Sequence, residues 1–150
     1  MYYFAYGSNM NHEQMKKRCP NSRFVETAYI RGYNVVFDGY SNFWKCSTAN
    51  IVPNSISLAY GGLFEIDDMD LRILDGYEGY PNYYSRELVE VFGSDDEVYD
   101  SWVYIKDEER KSKPSLRYIK TVLDGAEDCR LPQDYCEWAY GYKFKNKHRL

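Results

Sequence analysis

Histidine is almost missing from this chain, with only His12 and His148 in 150 residues. The four cysteines, at positions 19, 46, 129 and 136, form no C-x-x-C pair. That inventory argues against a zinc site, which draws its ligands from closely spaced Cys and His. It argues equally against a Ser-His or Cys-His nucleophile. Ser8 sits in no G-x-S-x-G elbow, and neither G-x-G-x-x-G nor G-x-x-x-x-G-K occurs. Long apolar runs are lacking too. No stretch approaches the roughly 18 residues of a membrane span, and the apolar start at residues 1–6 has no basic leader. Positive charge is in deficit, with 19 Lys and Arg against 23 Asp and Glu and a net charge of −4. With no Lys/Arg stripe, a phosphate backbone is repelled, so nucleic acid is excluded as a partner. The basic run at 143–149 reads as a solvated tail. Four scattered cysteines fit reduced thiols in the cytoplasm and call for no disulfide framework.

Aromatic residues, by contrast, are abundant at 18%, and 17 of them are tyrosines. Tyrosine suits a half-buried pleated face, and it also lines pockets. A chain of this length forms one domain over residues 1–150 and buries roughly two-thirds of its unfolded surface. Alternation predicts strands over 2–5, 23–30, 33–37, 47–52, 56–65, 83–92 and 98–105. Loops are expected at 40–45 and 106–113, with a turn at 53–55. Glycines 61 and 62 inside a strand signal a bulge or a close backbone approach. Short helices are expected at 11–18, 67–77, 114–123 and after Leu131-Pro132, and a short strand at 139–144. The stripe Met69, Ile73, Leu74 and Tyr77 is the expected inner face of the second helix, and Leu116, Ile119 and Leu123 that of the third. Strands dominate and do not alternate regularly with helices. The fold expected is therefore α+β, with a mostly antiparallel, barrel-like sheet and a few short flanking helices.

Two segments carry candidate chemistry. Tyr6-Gly7-Ser8-Asn9 ends the first strand. Its small residues allow backbone N–H groups to converge on an anion, and Gly7 permits a positive φ. On composition alone this is also an ordinary turn. Glu78 lies among tyrosines at a helix end, where burial raises a carboxyl pKa and fits it for proton transfer. On its own it reads more simply as a solvated loop glutamate. Asp67, Asp68 and Asp70 are most simply an acidic helix start.

Taken in order, three motifs resemble the γ-glutamylcyclotransferase family, including its AIG2-like members. Tyr3-Phe4-Ala5-Tyr6-Gly7-Ser8-Asn9 is similar to the family's ligand-binding loop. Leu74-Asp75-Gly76-Tyr77-Glu78-Gly79 resembles its catalytic segment, followed by Tyr84, Arg86 and the strand beyond. The third comprises Pro114 to Tyr118, Gly125-Ala126, Leu131-Pro132 and Tyr135, and it resembles the C-terminal half of the larger members.

The resemblance implies a ring closure. The α-amine of a γ-glutamyl group attacks its own γ-carbonyl, releasing 5-oxoproline and a free amine, with no metal or cofactor. Glu78 is then the expected general acid/base. Tyr6, Gly7, Ser8 and Asn9 are the expected holders of the α-carboxylate or of the developing oxyanion. Tyr118 is expected at the substrate site. The partner implied is a small γ-glutamyl substrate, with a homodimer as the expected assembly. Two other readings share the pocket: a cyclotransferase for γ-glutamyl amines or other γ-glutamyl metabolites, and a silent small-ligand binding protein.

Overall fold

The computed structural model describes residues 1–141. Its centre is a closed five-stranded barrel in the order β1-β3-β2-β4-β5. The strands are β1 (Tyr2–Ala5), β2 (Arg23–Ser41), β3 (Cys46–Glu65), β4 (Ser85–Phe92) and β5 (Val98–Ile105). Four seams are antiparallel, and the barrel closes where β1 runs parallel to β5. The β2–β4 seam is narrow, a single residue pair between Tyr29 and Phe92.

β2 and β3 form one long hairpin, where the alternation had suggested four strands. Its register shifts between Phe24 and Glu26, Arg31 and Tyr33, and Asp38 and Ser41. Each shift adds twist and bends the ribbon round the barrel. Pro53 pairs with Tyr33 beside one shift, so the expected turn at 53–55 is a bulged stretch of continuous strand. The loop expected at 40–45 shrinks to residues 42–45, because Ser41 and Cys46 still pair. Gly61 and Gly62 are close approaches, as expected. A Cβ on the first would lie 2.2 Å from the Ala5 carbonyl, and on the second 2.4 Å from Cys129 Sγ.

Four helices flank the barrel: α1 (His12–Arg18), α2 (Asp68–Glu78), α3 (Leu116–Asp128) and α4 (Gln133–Tyr140). Asp67 caps α2 and exchanges hydrogen bonds with Asp70, which explains the acidic start. Gly79, at φ +66, ends it, while Gly76 lies inside the helix. The inner face of α2 is Asp70, Leu71 and Leu74; of the expected stripe Leu74 is buried and Ile73 packs against the core, while Met69 is 70% exposed. In α3 the buried residues include Tyr118, Val122, Ala126 and the expected Leu123, Ile119 packs against the core, and Leu116 is 87% exposed. Each stripe holds in part; Met69 and Leu116 fall outside because the aliphatic pattern ranks them above Asp70 and Tyr118, which are buried and hydrogen-bonded. α3 runs on to Asp128, where Gly125 lets it press on the Met10–Asn11 backbone. Ala139 and Tyr140 belong to α4, not to a strand, and the rest of that expected strand beyond 141 lies outside the described residues. The core fills the barrel and the space under the helices, with Phe4, Met10, Leu63, Leu74, Val91, Val103 and Val122 at 0–1% exposure. Among the described residues, no helix is long and apolar enough to cross a membrane.

Candidate active site

A cavity of about 330 Å³ opens at one end of the barrel. It brings together the end of β1, the turn after it, the C-terminus of α2 and the start of α3. All six residues singled out from the sequence line it: Tyr6, Gly7, Ser8, Asn9, Glu78 and Tyr118. Its lining contains one carboxylate, Glu78, and one cation, Arg18, and neither His nor Cys.

Glu78 is the last residue of α2. Leu71, Leu74 and Asp75 precede it by seven, four and three residues, so all four share the face turned to the barrel. Asp75 pins that face. It accepts hydrogen bonds from Arg86 at 2.8 and 3.2 Å and from the Tyr104 hydroxyl at 2.6 Å. The Arg86 guanidinium is itself sandwiched against the rings of Tyr80 and Trp102. Desolvation pushes the Glu78 carboxyl up to about 7, and the charges of Arg18 and Lys106 pull partly the other way. A carboxyl near 7 exchanges protons readily at neutral pH.

The loop is held by side chains rather than by free turn chemistry. A 3₁₀ turn spans Ser8–Met10. Gly7 has φ −125°, so the expected positive φ is not what this glycine supplies. Space is: a Cβ there would lie 3.2 Å from Ala49 Cβ and 3.3 Å from the Tyr118 hydroxyl. The side chain of Asn9 is spent on the scaffold, and that of Ser8 accepts from it. Gln14 donates to Ser8 Oγ at 2.8 Å and to Asn9 Oδ1 at 3.0 Å, Arg18 also donates to Asn9 Oδ1, and Asn9 donates to the Tyr3 hydroxyl. The N–H groups of Gly7, Ser8 and Asn9 have no backbone partner among the described residues. What the loop offers a ligand is therefore its backbone N–H groups and the hydroxyl proton of Ser8, which has no acceptor among the described residues.

The phenols differ in where their protons go. Tyr6 donates to the Tyr104 carbonyl at 2.5 Å, Tyr84 to the Ala49 carbonyl at 2.6 Å, and Tyr104 to Asp75. Tyr118 instead accepts, from the Ala49 N–H at 2.8 Å, so its own proton is available to a ligand. Burial raises the pKa of Tyr3, Tyr6, Tyr84, Tyr104 and Tyr118, so these groups stay neutral and serve as donors or acceptors, not as bases.

Arg18 was not singled out from the sequence. It ends α1 with its guanidinium 3.9 Å from the Tyr77 ring centroid and 5.4 Å from that of Phe43. The basic end of a short helix carries no signal of a cavity, so nothing in the sequence would have found it. Tyr84 was noted only through its motif, and the structure places it in the floor. One Cys–His approach exists, with Cys129 Sγ 3.6 Å from His12 Nε2. Burial pushes that thiol up, and neither residue lines the cavity. All four cysteines are free and buried. Among the described residues, no group of three or more His, Cys, Asp or Glu could hold a metal.

Comparison with known proteins gives a consistent result. A gamma-glutamylcyclotransferase of Mus musculus is 26% identical over 140 residues, which are 90% of this chain and 74% of that protein. The Homo sapiens protein of the same name matches at the same identity and coverage. A solved structure of a gamma-glutamyl cyclotransferase superposes with a TM-score of 0.88 at 23% identity, covering 100% of this chain and 92% of that one, and so shares its fold. The sequence profile described as "Gamma-glutamyl cyclotransferase, AIG2-like" matches residues 3–122. On that match, which takes in most of its residues, the chain belongs to the gamma-glutamyl cyclotransferase, AIG2-like family.

Proposed function

We propose that this protein is a γ-glutamylcyclotransferase-type lyase that converts a γ-glutamyl amino acid or γ-glutamyl amine to 5-oxoproline and the free amine. Glu78 is its general acid/base. The observation that carries the reading is that the cavity holds a single carboxyl, and desolvation brings it close to neutrality.

The substrate amine, with a pKa of about 8, is mostly protonated at neutral pH. Glu78 in its ionised form takes one proton, freeing the lone pair to attack the γ-carbonyl. The C–N bond of the five-membered ring forms and the carbonyl π electrons move to oxygen. Collapse of that oxyanion breaks the bond to the leaving nitrogen, which receives the proton from Glu78. The ionised Glu78 then relays the second proton from the ring nitrogen to the departing amine, which leaves as an ammonium. One carboxyl serves in both directions, since its pKa lies near neutral pH. The free N–H groups at 7–9 suit the α-carboxylate or the oxyanion, and the Tyr118 phenol adds a further donor. Holding the amine against the carbonyl in a folded conformation contributes several kcal/mol, up to roughly 7–11 in the best cases.

The test is release of 5-oxoproline from γ-glutamyl-alanine and a set of γ-glutamyl amines by wild type and by Glu78→Gln. Turnover by the wild type alone is the expected result. A variant that keeps more than about a tenth of the rate removes Glu78 from its role, since general acid–base catalysis is worth about a hundred- to ten-thousandfold.

A further inference from the structure

Lys106 directly follows β5, and it is almost wholly buried beside the cavity without lining it. Its ammonium donates to three acceptors: the Asp38 carbonyl at 3.0 Å, Thr48 Oγ1 at 3.3 Å and the Tyr83 hydroxyl at 2.8 Å. Asp38 Oδ1 lies 3.2 Å from the same nitrogen as counter-charge, off the hydrogen-bonding directions. The other carboxylate oxygen of Asp38 accepts from Asn50 Nδ2 and from the Glu109 N–H. Asn50 in turn bonds both backbone groups of Lys106. The lysine is thus locked from two sides.

A buried ion pair of this kind is weak evidence for stability, because desolvation offsets most of the attraction. Its consequence for hydrogen-bond direction is definite. An ammonium has no lone pair, so Tyr83 and Thr48 must accept from it. Tyr84 gives its proton to Ala49, so Thr48 gives its own to Tyr84. Every proton in this network then has a protein acceptor except that of Tyr83. Tyr83 lines the cavity, and its hydroxyl has no acceptor among the described residues. Gly39 makes the room: a Cβ there would lie 2.9 Å from the Tyr83 hydroxyl and 3.0 Å from Lys106 Nζ.

We infer that Tyr83 is a substrate-binding residue, a phenol whose proton is turned into the cavity and donated to a negatively charged oxygen of the γ-glutamyl substrate, with Lys106 as its positioning residue. A phenol that accepts from an ammonium is polarised and becomes a stronger donor, the more so for a charged acceptor. The inference rests on the proposed ring closure for the identity of the ligand alone. The competing acceptor is the exposed Glu109 carboxylate, whose Oε2 approaches the same point beside Gly39 at 3.3 Å.

The deciding variant is Tyr83→Phe, which removes one hydroxyl and leaves Lys106 its other two acceptors. With γ-glutamyl-alanine, kcat/KM is expected to fall by about 5- to 30-fold. A rise in KM places the bond on a substrate carboxylate, and a fall in kcat places it on the developing oxyanion. Activity within twofold of wild type overturns the inference and gives the proton to Glu109. The role of Lys106 is read from the neutral pair Lys106→Met with Asp38→Asn. In that background Tyr83→Phe should cost less than threefold, because the phenol is no longer oriented. An undiminished cost there overturns the positioning role. If the pair does not fold, Lys106→Gln, which keeps one donor, takes its place in the same cycle. If the wild type shows no turnover, it is the reaction that fails. Tyr83 is then judged by calorimetry with γ-glutamyl-alanine and 5-oxoproline, where equal affinity in Tyr83→Phe, or binding to neither protein, overturns the inference.

Discussion

The floor and the mouth of the cavity are both aromatic, yet they are held in different ways. In the floor, Tyr6, Tyr84 and Tyr118 are buried, and each hydroxyl is tied to a backbone group of β3 or β5. At the mouth, Tyr40 and Phe43 are each 57% exposed and Tyr77 is 49% exposed. Phe43 and Tyr77 touch ring to ring and ring to guanidinium, as Phe43 does with Trp44, Tyr77 and Arg18. Hydrogen bonds fix a side chain in direction as well as position, whereas ring contacts leave it room to adjust. A floor of the first kind suits the part common to all γ-glutamyl substrates. A mouth of the second kind suits a leaving group that varies.

Substitutions can test that contrast, and the largest effect is expected at the floor. Glu78→Gln should lower turnover by about a hundred- to ten-thousandfold. It should also stabilise the fold in one pH range. The folded pKa of Glu78 is raised to about 7, so its contribution to stability is complete below the unfolded value near 4.3 and is lost as pH rises through about 7. The variant escapes that loss. Its melting temperature should match wild type at pH 4 and exceed it at pH 8, by a free-energy difference of no more than about 4 kcal/mol. A lower melting temperature at pH 8 would contradict the desolvated carboxyl.

Tyr118→Phe comes next. It removes a proposed donor and strands the buried Ala49 N–H, which bonds that phenol at 2.8 Å. Activity should fall several-fold and stability by about 1–3 kcal/mol, read by chemical denaturation. Unchanged kcat/KM would take Tyr118 out of the proposed site.

Arg18→Met probes the boundary between the two regions. Arg18 pulls the Glu78 pKa down, so its loss should move the acidic limb of the pH–rate profile upward from about 7. An unmoved limb would show that the two charges do not communicate. The smallest effect belongs to the mouth. Phe43→Ser should leave stability within about 0.5 kcal/mol, as exposed sites do. It should alter KM among γ-glutamyl amino acids of different side chain more than it alters kcat. A uniform fall in kcat would erase the distinction between floor and mouth.

How much of this was legible beforehand varies by element. β1, β4, β5 and the acidic start of α2 followed from alternation and capping rules, which act within a few residues. The hairpin of β2 and β3 was cut into pieces because Gly32 and Pro53 are breakers locally, while the opposing strand carries the ladder past them at a bulge. Glu78 and Tyr118 reached the cavity as expected. Gly7 did so for a different reason, close packing rather than a positive φ. The loop was expected to offer a ligand its backbone N–H groups; that the side chains of Ser8 and Asn9 bond α1 was not legible beforehand.

What the sequence determined by itself is the range of chemistry. With two histidines, no paired cysteines and an acidic balance, it left little but carboxyl and phenol groups to work with. It also carried the three ordered motifs that led to the family. Only the tertiary structure decided what each group does. The bond from Lys106 to Tyr83 spans 23 residues, the one from Lys106 to Asp38 spans 68, and the one from Tyr6 to Tyr104 spans 98. The pKa of Glu78 depends on the water excluded by residues drawn from β1, β3, α1 and α3. Desolvation and hydrogen-bond direction are properties of a side chain's surroundings, and those exist only once the barrel has closed.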